Sequence, residues 1–457
     1  MKGKDLKEQN KGPLWAVLQR VEGDKVIMII VLMLLLVSFL AIFSSTPMLP
    51  AQDTRLQTMT EHGLVALFGI GVMILLYHIK VDRWKWLAKL GFIGSACMLA
   101  MLLMEIKIPG IISTQKINGA VRNFYIAGFQ IHVFEIVKVA MIMYLAWAMN
   151  ALREEKTGGK DKQLKLATWL TDKFKRLEFL KKPFWRRAFY LYCPVMIVGM
   201  MMFFGSGSSA IFVCAILIAA MLLGDVPLKE ILIALVAVVI GFFALVAIHK
   251  ASDGKFVPRV GTMINRMNAD YDMERLRGLH GDEYRAMLDT LSQPVSAKIA
   301  VHEGGLIGKG IGNSTQKYKV QNIYGDYMYS FLVEEYGLIG GFLILILYVS
   351  LLARSSILAR MCSDDFAKYL LGGLAILITG QAFMHILVNV DIGPMTGQTL
   401  PLISHGASAF LIFCVAFGLI LSISRMAKKK MQTVEELTQE NKDRLEENIE
   451  KAAKSRD

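Results

Sequence analysis

Charge is scarce in this sequence and is confined to a few stretches. Only 19% of the 457 residues are Asp, Glu, Lys or Arg, whereas 54% are hydrophobic. Long segments between the charged stretches carry no charge. A water-soluble protein spreads charge over its whole surface, so this pattern excludes an ordinary soluble domain and indicates a lipid bilayer.

Cysteine is also rare, and no cleavable signal peptide is expected. The five cysteines form no CxxC pair, which favours free thiols used as small hydrophobic side chains. The chain starts with about 25 polar residues, and the first apolar run is long enough to remain as a span. The net charge of +13 favours topology and anionic lipid over nucleic acid as its explanation.

The apolar runs predict an all-α polytopic membrane protein with about ten transmembrane helices. A span needs roughly 20 apolar residues. The predicted spans are 26–47, 63–80, 86–106, 131–151, 187–204, 208–224, 229–249, 326–353, 367–390 and 407–425. The fifth and sixth are separated only by Gly205, Ser206 and Gly207, and 38 residues fit two helices better than one.

Basic residues predict the orientation. Lys and Arg cluster in the N-terminal tail, in the loop at 152–187 and at the start of the C-terminal tail. Ten spans place all three on one side, which is then cytoplasmic. We therefore expect a cytoplasmic tail at 1–25, a membrane domain at 26–426 and a charged cytoplasmic tail at 427–457. Residues 250–325 become a large outer loop between spans 7 and 8, expected to cover a site.

Two polar segments accompany the fourth span and the large loop. Residues 118–128 (NGAVRNFYIAG) are polar enough for an external loop that dips into the protein. Glu135 and Lys138 share a helical face, either as a fold-stabilising ion pair or as a functional pair. Residues 304–317 (GGLIGKGIGNSTQK) are a flexible loop or a contact for pyrophosphate or sugar. A dinucleotide fold is not expected, because its fingerprint needs a soluble βαβ unit.

Acidic residues mark the eighth span. Asp326 opens it, either as a helix N-cap or as a functional carboxylate. Glu334 and Glu335 lie over two turns further on, where a carboxylate is costly and a functional suspect. Gly337 and Gly341 favour helix packing.

Residues 394–410 (PMTGQTLPLISHGASAF) cannot continue a span, because they contain two prolines and two glycines. Such backbone is tolerated at membrane depth only where protein or a water-lined cavity satisfies it. Ser404 and His405 are neighbours whose side chains point apart, so a serine nucleophile is not expected.

Together these blocks resemble the SEDS family (shape, elongation, division and sporulation), over about residues 26–426. The matching blocks are NGAxR with a later Glu and Lys, Gln293 followed by GGLIGKGIGNSTQ, DxxxxxxxEExG, and PxTGQTLPLIS. The last is more similar to the division member, FtsW, than to the elongation member, RodA. The resemblance implies a peptidoglycan glycosyltransferase that polymerises lipid II on the outer face of the bacterial cytoplasmic membrane, with a class B penicillin-binding protein and other divisome proteins as partners.

The resemblance and the residue chemistry assign a candidate site. Asp326 is the implied catalytic residue, a general base for the acceptor sugar hydroxyl. The substrate-binding candidates are Arg122, Glu135, Lys138, Arg259, Gln293, Gly308, Gly310, Gly312, Thr396, Gly397, Pro401 and Ser404. No protein metal site is expected, although a divalent cation (Mg or Mn) on the pyrophosphate or on Asp326 is compatible with the chemistry.

The sequence departs from the family pattern at several points. PEAHxD is here NIYGD, QPSE is HVFE, the acid of DLGT is absent, and SYGGSS is SHGASA. His385 stands where many members have Asn. Three alternatives therefore stay open: a lipid II flippase or other transporter, an elongation-type polymerase, and a scaffold without activity that recruits a transpeptidase.

Overall fold

The computed structural model is dominated by helices, as the long apolar runs predict. It describes residues 22–45, 54–106, 108, 112–117, 120–126, 129–156, 164–252, 261, 282–319, 323–392 and 397–429. Most of the two predicted tails, and most of residues 253–281 in the predicted outer loop, lie outside the described residues.

The helices are numbered in chain order. They are α1 (Lys25–Ser45), α2 (Thr54–His78), α3 (Val81–Lys89), α4 (Gly91–Leu103), α5 (Val133–Lys156), α6 (Lys165–Lys173), α7 (Pro183–Gly205), α8 (Gly207–Met221), α9 (Leu228–Ala251), α10 (Asp282–Gly304), α11 (Met328–Met361), α12 (Asp365–Asn389) and α13 (Ala407–Lys429). Short 3₁₀ helices lie at Lys175–Lys181 and Gln316–Tyr318.

Among the described residues, eight helices are long and apolar enough to cross a membrane. They are α1, α2, α5, α7, α9, α11, α12 and α13. Helices α3 and α4 form an apolar pair bent by 47°, the geometry of a broken span or a re-entrant loop, and α8 is a shorter apolar helix. Each of the ten predicted spans corresponds to one of these elements, so the expected polytopic α-helical fold is confirmed.

Residues 187–224 divide into two helices, as predicted. Between α7 and α8, Ser206 has extended backbone with φ −160° and ψ 106°. Its hydroxyl accepts a hydrogen bond from the Ser209 N–H at 3.4 Å. An N-cap of this kind satisfies an amide that the new helix leaves without a partner. The small polar residues therefore end one helix and start the next.

A small antiparallel sheet stands between α4 and α5, where the sequence predicts an external loop that dips into the protein. Its strands are β1 (Ile112–Ile117), β2 (Ala120–Ile126) and β3 (Phe129–His132), in the order β1-β2-β3. Ile117 pairs with Ala120, so two residues connect β1 to β2. The sequence there is Asn-Gly, a strong signal for a two-residue hairpin. The connection between the two helices is therefore built from strands, which the sequence analysis did not predict.

Contacts between helix termini define two ends of the bundle, here called the anchor end and the site end. At the anchor end, the Asp24 N–H donates to Ser424 in α13, and Arg354 in α11 binds the Asp24 carboxylate. At the site end, the His132 N–H donates to Ser408, which joins the start of α5 to the start of α13. The first and last described segments share the anchor end, as an even number of spans requires.

Helix α11 is broken at Gly337, which has φ 72° and ψ −179°. The chain that follows α10 packs into this break. The Leu338 N–H donates to the Gly305 carbonyl at 2.9 Å, and the Lys309 N–H donates to the Glu334 carbonyl at 2.9 Å. A Cβ on Gly337 would lie 2.2 Å from the Leu306 oxygen. Gly337 therefore serves this break, whereas the sequence predicted helix packing for it.

Candidate active site

Asp326 lies at the site end, immediately before α11. The N-cap position of this helix is Tyr327, one residue later, so Asp326 is not the N-cap. Asp326 is exposed, while the six residues that follow it are buried. The Asp326 carboxylate is thus exposed directly before the buried first turn of α11.

Three consecutive backbone carbonyls around Asp326 accept hydrogen bonds from other parts of the chain. The Tyr324 carbonyl accepts from the His405 N–H at 2.8 Å. The Gly325 carbonyl accepts from the Ser404 hydroxyl at 2.8 Å. The Asp326 carbonyl accepts from the Asn389 side-chain amide at 3.1 Å. The backbone that carries the carboxylate is therefore fixed from two directions, by α12 and by the segment before α13.

Gly397 lies beside the Asp326 carboxylate. A Cβ built on this glycine would be 3.6 Å from Asp326 Oδ2. Gly397 has φ +59°, a conformation that other residues rarely adopt. Glycine therefore brings the backbone close to Asp326 without placing a side chain over it.

The predicted Glu135–Lys138 pair is present on the buried face of α5. The Lys138 Nζ lies 2.6 Å from Glu135 Oε1, and only 2% of Lys138 is exposed. The ammonium also donates to Gln381 at 2.6 Å and to Gln398 at 2.9 Å. Three acceptors match the three donors of an ammonium group. This buried charge is fully satisfied, which is the condition for tolerating it in a helix bundle.

Gln398 connects the lysine to the chain beside Asp326. Its side-chain Nε2 donates to the Ser209 hydroxyl in α8 at 3.1 Å, and its backbone carbonyl accepts from His385 Nδ1 in α12 at 2.7 Å. Because Gln398 follows Gly397 directly, the network around Lys138 and the surroundings of Asp326 meet in two consecutive residues. The segment at 397–400 is thus bonded to α5, α8 and α12.

The glycine-rich loop is bound to the rest of the protein through its backbone. Gly308, Gly310 and Gly312 have φ of 88°, 91° and 84°. The Gly310 N–H donates to the Glu335 carbonyl at 3.0 Å. The Gly312 N–H donates to Ser44 Oγ at 2.9 Å and to Glu335 Oε1 at 3.0 Å. The amides of Gly310 and Gly312 therefore bond within the chain, and contact of this loop with phosphate stays a prediction.

Glu334 and Glu335 are the anchors of that loop. Glu334 has no exposed surface, and its Oε1 accepts from Lys309 Nζ at 2.8 Å and from the Thr315 N–H at 2.9 Å. Glu335 accepts from the Ser44 hydroxyl at 2.6 Å. Both carboxylates are surrounded by donors from the protein. These contacts give the two costly acids a structural role.

Two histidines near the site are held in the neutral form by their surroundings. Burial lowers the pKa of His405, against an opposing effect of Glu61. Burial also lowers the pKa of His132, with Glu135 acting against the shift and Lys138 acting with it. Both shifts favour the neutral imidazole near neutral pH.

Across the described residues, no group of three or more His, Cys, Asp or Glu side chains could hold a metal ion. The proposed divalent cation therefore has no dedicated cluster in this part of the chain, and it stays a prediction tied to the substrate.

The sequence model of the FtsW/RodA/SpoVE family, described as cell cycle proteins, matches residues 24–429. This chain belongs to the FtsW/RodA/SpoVE family.

Relatives in this family cover nearly the whole chain. A probable peptidoglycan glycosyltransferase FtsW of Geobacter sp. (strain M18) is 26% identical over 414 residues, which cover 89% of this chain and 98% of that protein. Stage V sporulation protein E of Bacillus subtilis (strain 168) is 24% identical over 411 residues, covering 90% and 99%. The predicted family is confirmed.

Solved structures share the fold. A chain of a peptidoglycan synthase complex, characterised for the structural coordination of polymerization and crosslinking, superposes with a TM-score of 0.59 at 20% identity. It covers 88% of this chain and 98% of that one. The rod shape determining protein RodA of Thermus thermophilus gives 0.55 at 19% identity, covering 89% and 98%. At these identities the likeness establishes the fold alone.

Not every predicted site residue reaches the surroundings of Asp326. Ser404 and Gly397 do, and Glu135 and Lys138 connect to them through Gln398. The Pro401 carbonyl accepts from Tyr348 at 2.6 Å, a packing contact. Gln293 is half-buried on α10. The remaining candidates, the Arg122 side chain, Arg259 and Thr396, lie outside the described residues.

Three residues of the site were missed at the sequence level. Gln381, His385 and Asn389 recur every four residues along α12 and therefore share one helical face. All three are buried and hydrogen-bonded around the segment at 397–400 or the start of α11. A polar stripe within an apolar span is a detectable signal, since such side chains are costly unless they have partners.

Proposed function

We propose that this protein is a peptidoglycan glycosyltransferase that polymerises lipid II, with Asp326 as its catalytic base. The observation that carries the proposal is the presentation of Asp326. Its carboxylate is exposed beside a glycine, while the backbone on which it stands is fixed by three hydrogen bonds from elsewhere. A fixed, accessible base is what proton abstraction from a bound hydroxyl requires.

The proposed reaction is a direct displacement. As the acceptor 4-hydroxyl oxygen attacks the anomeric carbon of the donor, its proton passes to the Asp326 carboxylate. The bond between that carbon and the pyrophosphate oxygen breaks, and undecaprenyl diphosphate leaves with the electron pair. A single displacement inverts the anomeric centre. A general base contributes about 10²–10⁴-fold, so positioning and charge stabilisation supply the rest.

Cations would stabilise the departing pyrophosphate. We assign this part to Arg122, to Arg259 and to a divalent cation carried with the substrate. Lys138 is less suited to direct contact, because Glu135, Gln381 and Gln398 already take its three donors. Its part in the proposal is to fix the segment at 397–400 next to Asp326.

The proposal places the site end outside the cytoplasmic membrane and both termini in the cytoplasm, which follows the distribution of basic residues. A cysteine introduced at Ser252, the C-cap of α9, should react with an impermeant reagent added from outside. Labelling of that cysteine from the cytoplasm alone would overturn this orientation.

We further propose a septal role beside a class B penicillin-binding protein, so a fluorescent fusion should collect at midcell and not along the side wall.

The test uses the purified protein, with and without its transpeptidase partner, and lipid II as substrate. Asp326→Asn keeps the shape of the side chain and removes its basicity. We expect polymer formation to fall by about 10²-fold or more, with unchanged folding and partner binding. Asp391→Asn is the matched control. It changes an exposed acid at the same end whose φ of +62° suits asparagine, and its activity should stay near that of the unmodified protein.

An Asp326→Asn variant that polymerises lipid II near the normal rate would end the proposal. The transport alternative draws on the broken helix at Gly337 and the buried Glu135–Lys138 pair, since discontinuous helices and buried charges also build transport sites. Labelled lipid II that changes leaflet in vesicles without forming polymer would favour that alternative.

A further inference from the structure

Helix α11 starts with an arrangement that its own sequence does not provide. The first amides of a helix have no partner within the helix, and a side chain at the N-cap usually accepts from one of them. Here the N-cap is Tyr327, whose side chain makes no such bond. The Tyr329 N–H donates instead to His385 Nε2 at 3.2 Å, and the Ser330 N–H donates to Asn389 Oδ1 at 2.9 Å. Helix α12 therefore caps α11.

We propose that His385 and Asn389 are positioning residues for Asp326, which hold its carboxylate in the orientation needed for proton abstraction. This inference rests on the proposed function. Asp326 stands one residue before the N-cap, so the direction of its side chain depends on how that first turn is fixed.

His385 is bonded on both sides of its ring. Its Nδ1 lies 2.7 Å from the Gln398 carbonyl oxygen, which can only accept, so Nδ1 carries the proton. Nε2 is then the acceptor for the Tyr329 amide. This geometry requires a neutral ring in one tautomer. The same ring connects the start of α11 to the segment that places Gly397 beside Asp326.

Asn389 is bonded through both atoms of its amide. Oδ1 accepts from the Ser330 N–H, while Nδ2 donates to the Asp326 carbonyl at 3.1 Å and to the His385 carbonyl at 2.8 Å. A rotated amide would place a donor against the Ser330 amide, so the orientation is unique. Asn389 thus bonds to the backbone of Asp326 itself as well as to the first turn of α11.

A purely structural role would predict that any side chain able to cap α11 suffices. Asn389→Asp separates the two readings. A carboxylate still accepts from the Ser330 amide, and a negative charge suits a helix N-terminus. It cannot donate to the Asp326 carbonyl, and it adds a negative charge next to Asp326. The variant should therefore fold well and position the base poorly.

The experiment measures lipid II polymerisation by the purified protein with its transpeptidase partner, at several substrate concentrations and pH values. For Asn389→Asp we expect kcat to fall about tenfold or more, a loss of about 1.4 kcal/mol or more in transition-state stabilisation. KM should change less than twofold. The acid limb of the kcat profile should move to higher pH, because a second carboxylate makes ionisation of Asp326 less favourable.

The titratable groups around this turn include Tyr324, Tyr327, Tyr329, His405, His385 and the Lys298–Asp391 ion pair, all of which are unchanged in the variant. His385→Gln keeps a donor and an acceptor on one side chain and should retain more kcat than His385→Leu at equal folded amount. Thr379→Val is the matched control. It removes a different hydrogen bond between α12 and α11, to the Tyr348 carbonyl, and should lower thermal stability without moving the pH profile.

The outcomes separate the two proposals. If the unmodified protein polymerises lipid II and Asn389→Asp matches it in kcat and in pH profile, the positioning role is overturned and the proposed function stands. The same holds if His385→Gln and His385→Leu lose equal activity per folded molecule. If the unmodified protein forms no polymer under any condition tested, the proposed function fails, and the positioning role fails with it.

Discussion

The anchor end and the site end of the bundle use polar side chains in opposite ways. At the anchor end, charges pair with charges: Arg354 with Asp24, Arg187 with Glu230, and Lys85 with Asp364. At the site end, side chains bond mainly to the backbone. Ser404, His385 and Asn389 each bond to a backbone group of residues 325–330. Ion pairs join helix termini, whereas side chain–backbone bonds fix an irregular chain.

The difference follows from what each end must achieve. An ion pair satisfies two side chains and leaves none of that charge for another partner. A bond to a backbone group fixes the main chain itself, so a carboxylate can stand exposed on a rigid backbone. Asp326 is exposed under these conditions, while Asp24 is fully buried against its arginine. The arrangement at the site end is therefore suited to chemistry, and that at the anchor end to stability.

The largest effect on stability should come from Glu334, an acid at the site end that is buried in a charge pair as Asp24 is at the anchor end. Glu334→Ala removes the buried carboxylate that accepts from Lys309 Nζ and from the Thr315 amide. Both donors then lose this acceptor. Breaking a fully buried charged pair by removing one partner costs about 3–5 kcal/mol. The cost here should be smaller, because Lys309 is partly exposed and keeps Glu303 as a partner. We expect a marked loss of folded protein and of melting temperature in detergent.

Glu303→Ala is the control, because Glu303 binds the same lysine from the surface. Exposed ion pairs contribute little, so its melting temperature should stay close to that of the unmodified protein. Equal losses in the two variants would show that burial of Glu334 is not what makes it important.

The fold was largely predictable, for a plain physical reason. Each span must be apolar along roughly 20 residues, and this requirement is visible without any knowledge of neighbours. The three-stranded sheet was less accessible, because its pairing depends on a hairpin signal of two residues within a polar segment. The docking of residues 305–310 into the break at Gly337 was not predictable, since it consists of backbone bonds between distant residues.

The site divides in the same way. Asp326 could be found from its spacing to Glu334 and from the resemblance, and Glu135 with Lys138 from their shared face. The stripe of Gln381, His385 and Asn389 also had a periodic signal. The hydrogen-bond partners of His385 and Asn389 had no such signal. They are the Tyr329 and Ser330 amides, about 60 residues away, and the sequence does not show which backbone amides need a partner.

A second prediction examines the charge pair at the site end, which resembles the pairs at the anchor end but has neutral partners as well. Glu135→Gln leaves the buried Lys138 ammonium without its counter-charge. Glu135→Gln combined with Lys138→Met removes both charges and should therefore restore part of the lost stability and activity. Contacting residues of this kind couple by about 0.5–3 kcal/mol.

The measurement is the melting temperature and the polymerisation rate of the two single variants and the double variant. Additive effects would mean that Gln381 and Gln398, and not Glu135, are the partners that matter for Lys138. Such a result would show that this site-end pair, unlike the pairs at the anchor end, depends on neutral partners.

The smallest effect is expected at the anchor end, for Asp24→Asn. Asp24 Oδ1 caps α1 through the Val26 and Ile27 amides, at 3.0 and 3.2 Å, and asparagine can keep these bonds. The loss is the charge on the acceptor of the two Arg354 bonds to Oδ2, at 2.9 and 2.6 Å. Because Arg354 is partly exposed, we expect a cost near the low end for a charged hydrogen bond, about 1.5 kcal/mol. Activity per folded molecule at pH 7 should not change, since the site lies at the other end.

The pH dependence gives this last prediction its sign. Burial would raise the pKa of the Asp24 carboxyl, but hydrogen bonds from Arg354 and the Ile27 amide outweigh burial and bring the pKa below its usual value. A carboxyl with a lowered pKa binds its proton more weakly in the folded protein than in the unfolded chain. Its contribution to stability is therefore complete at neutral pH and is lost as the pH falls through the acidic range below about 4. Melting temperatures of the unmodified protein and Asp24→Asn should differ most at pH 7 and converge in acid. A difference that is constant between pH 7 and pH 3 would mean that the ionised carboxylate contributes nothing, and that this pair does not distinguish the anchor end from the site end.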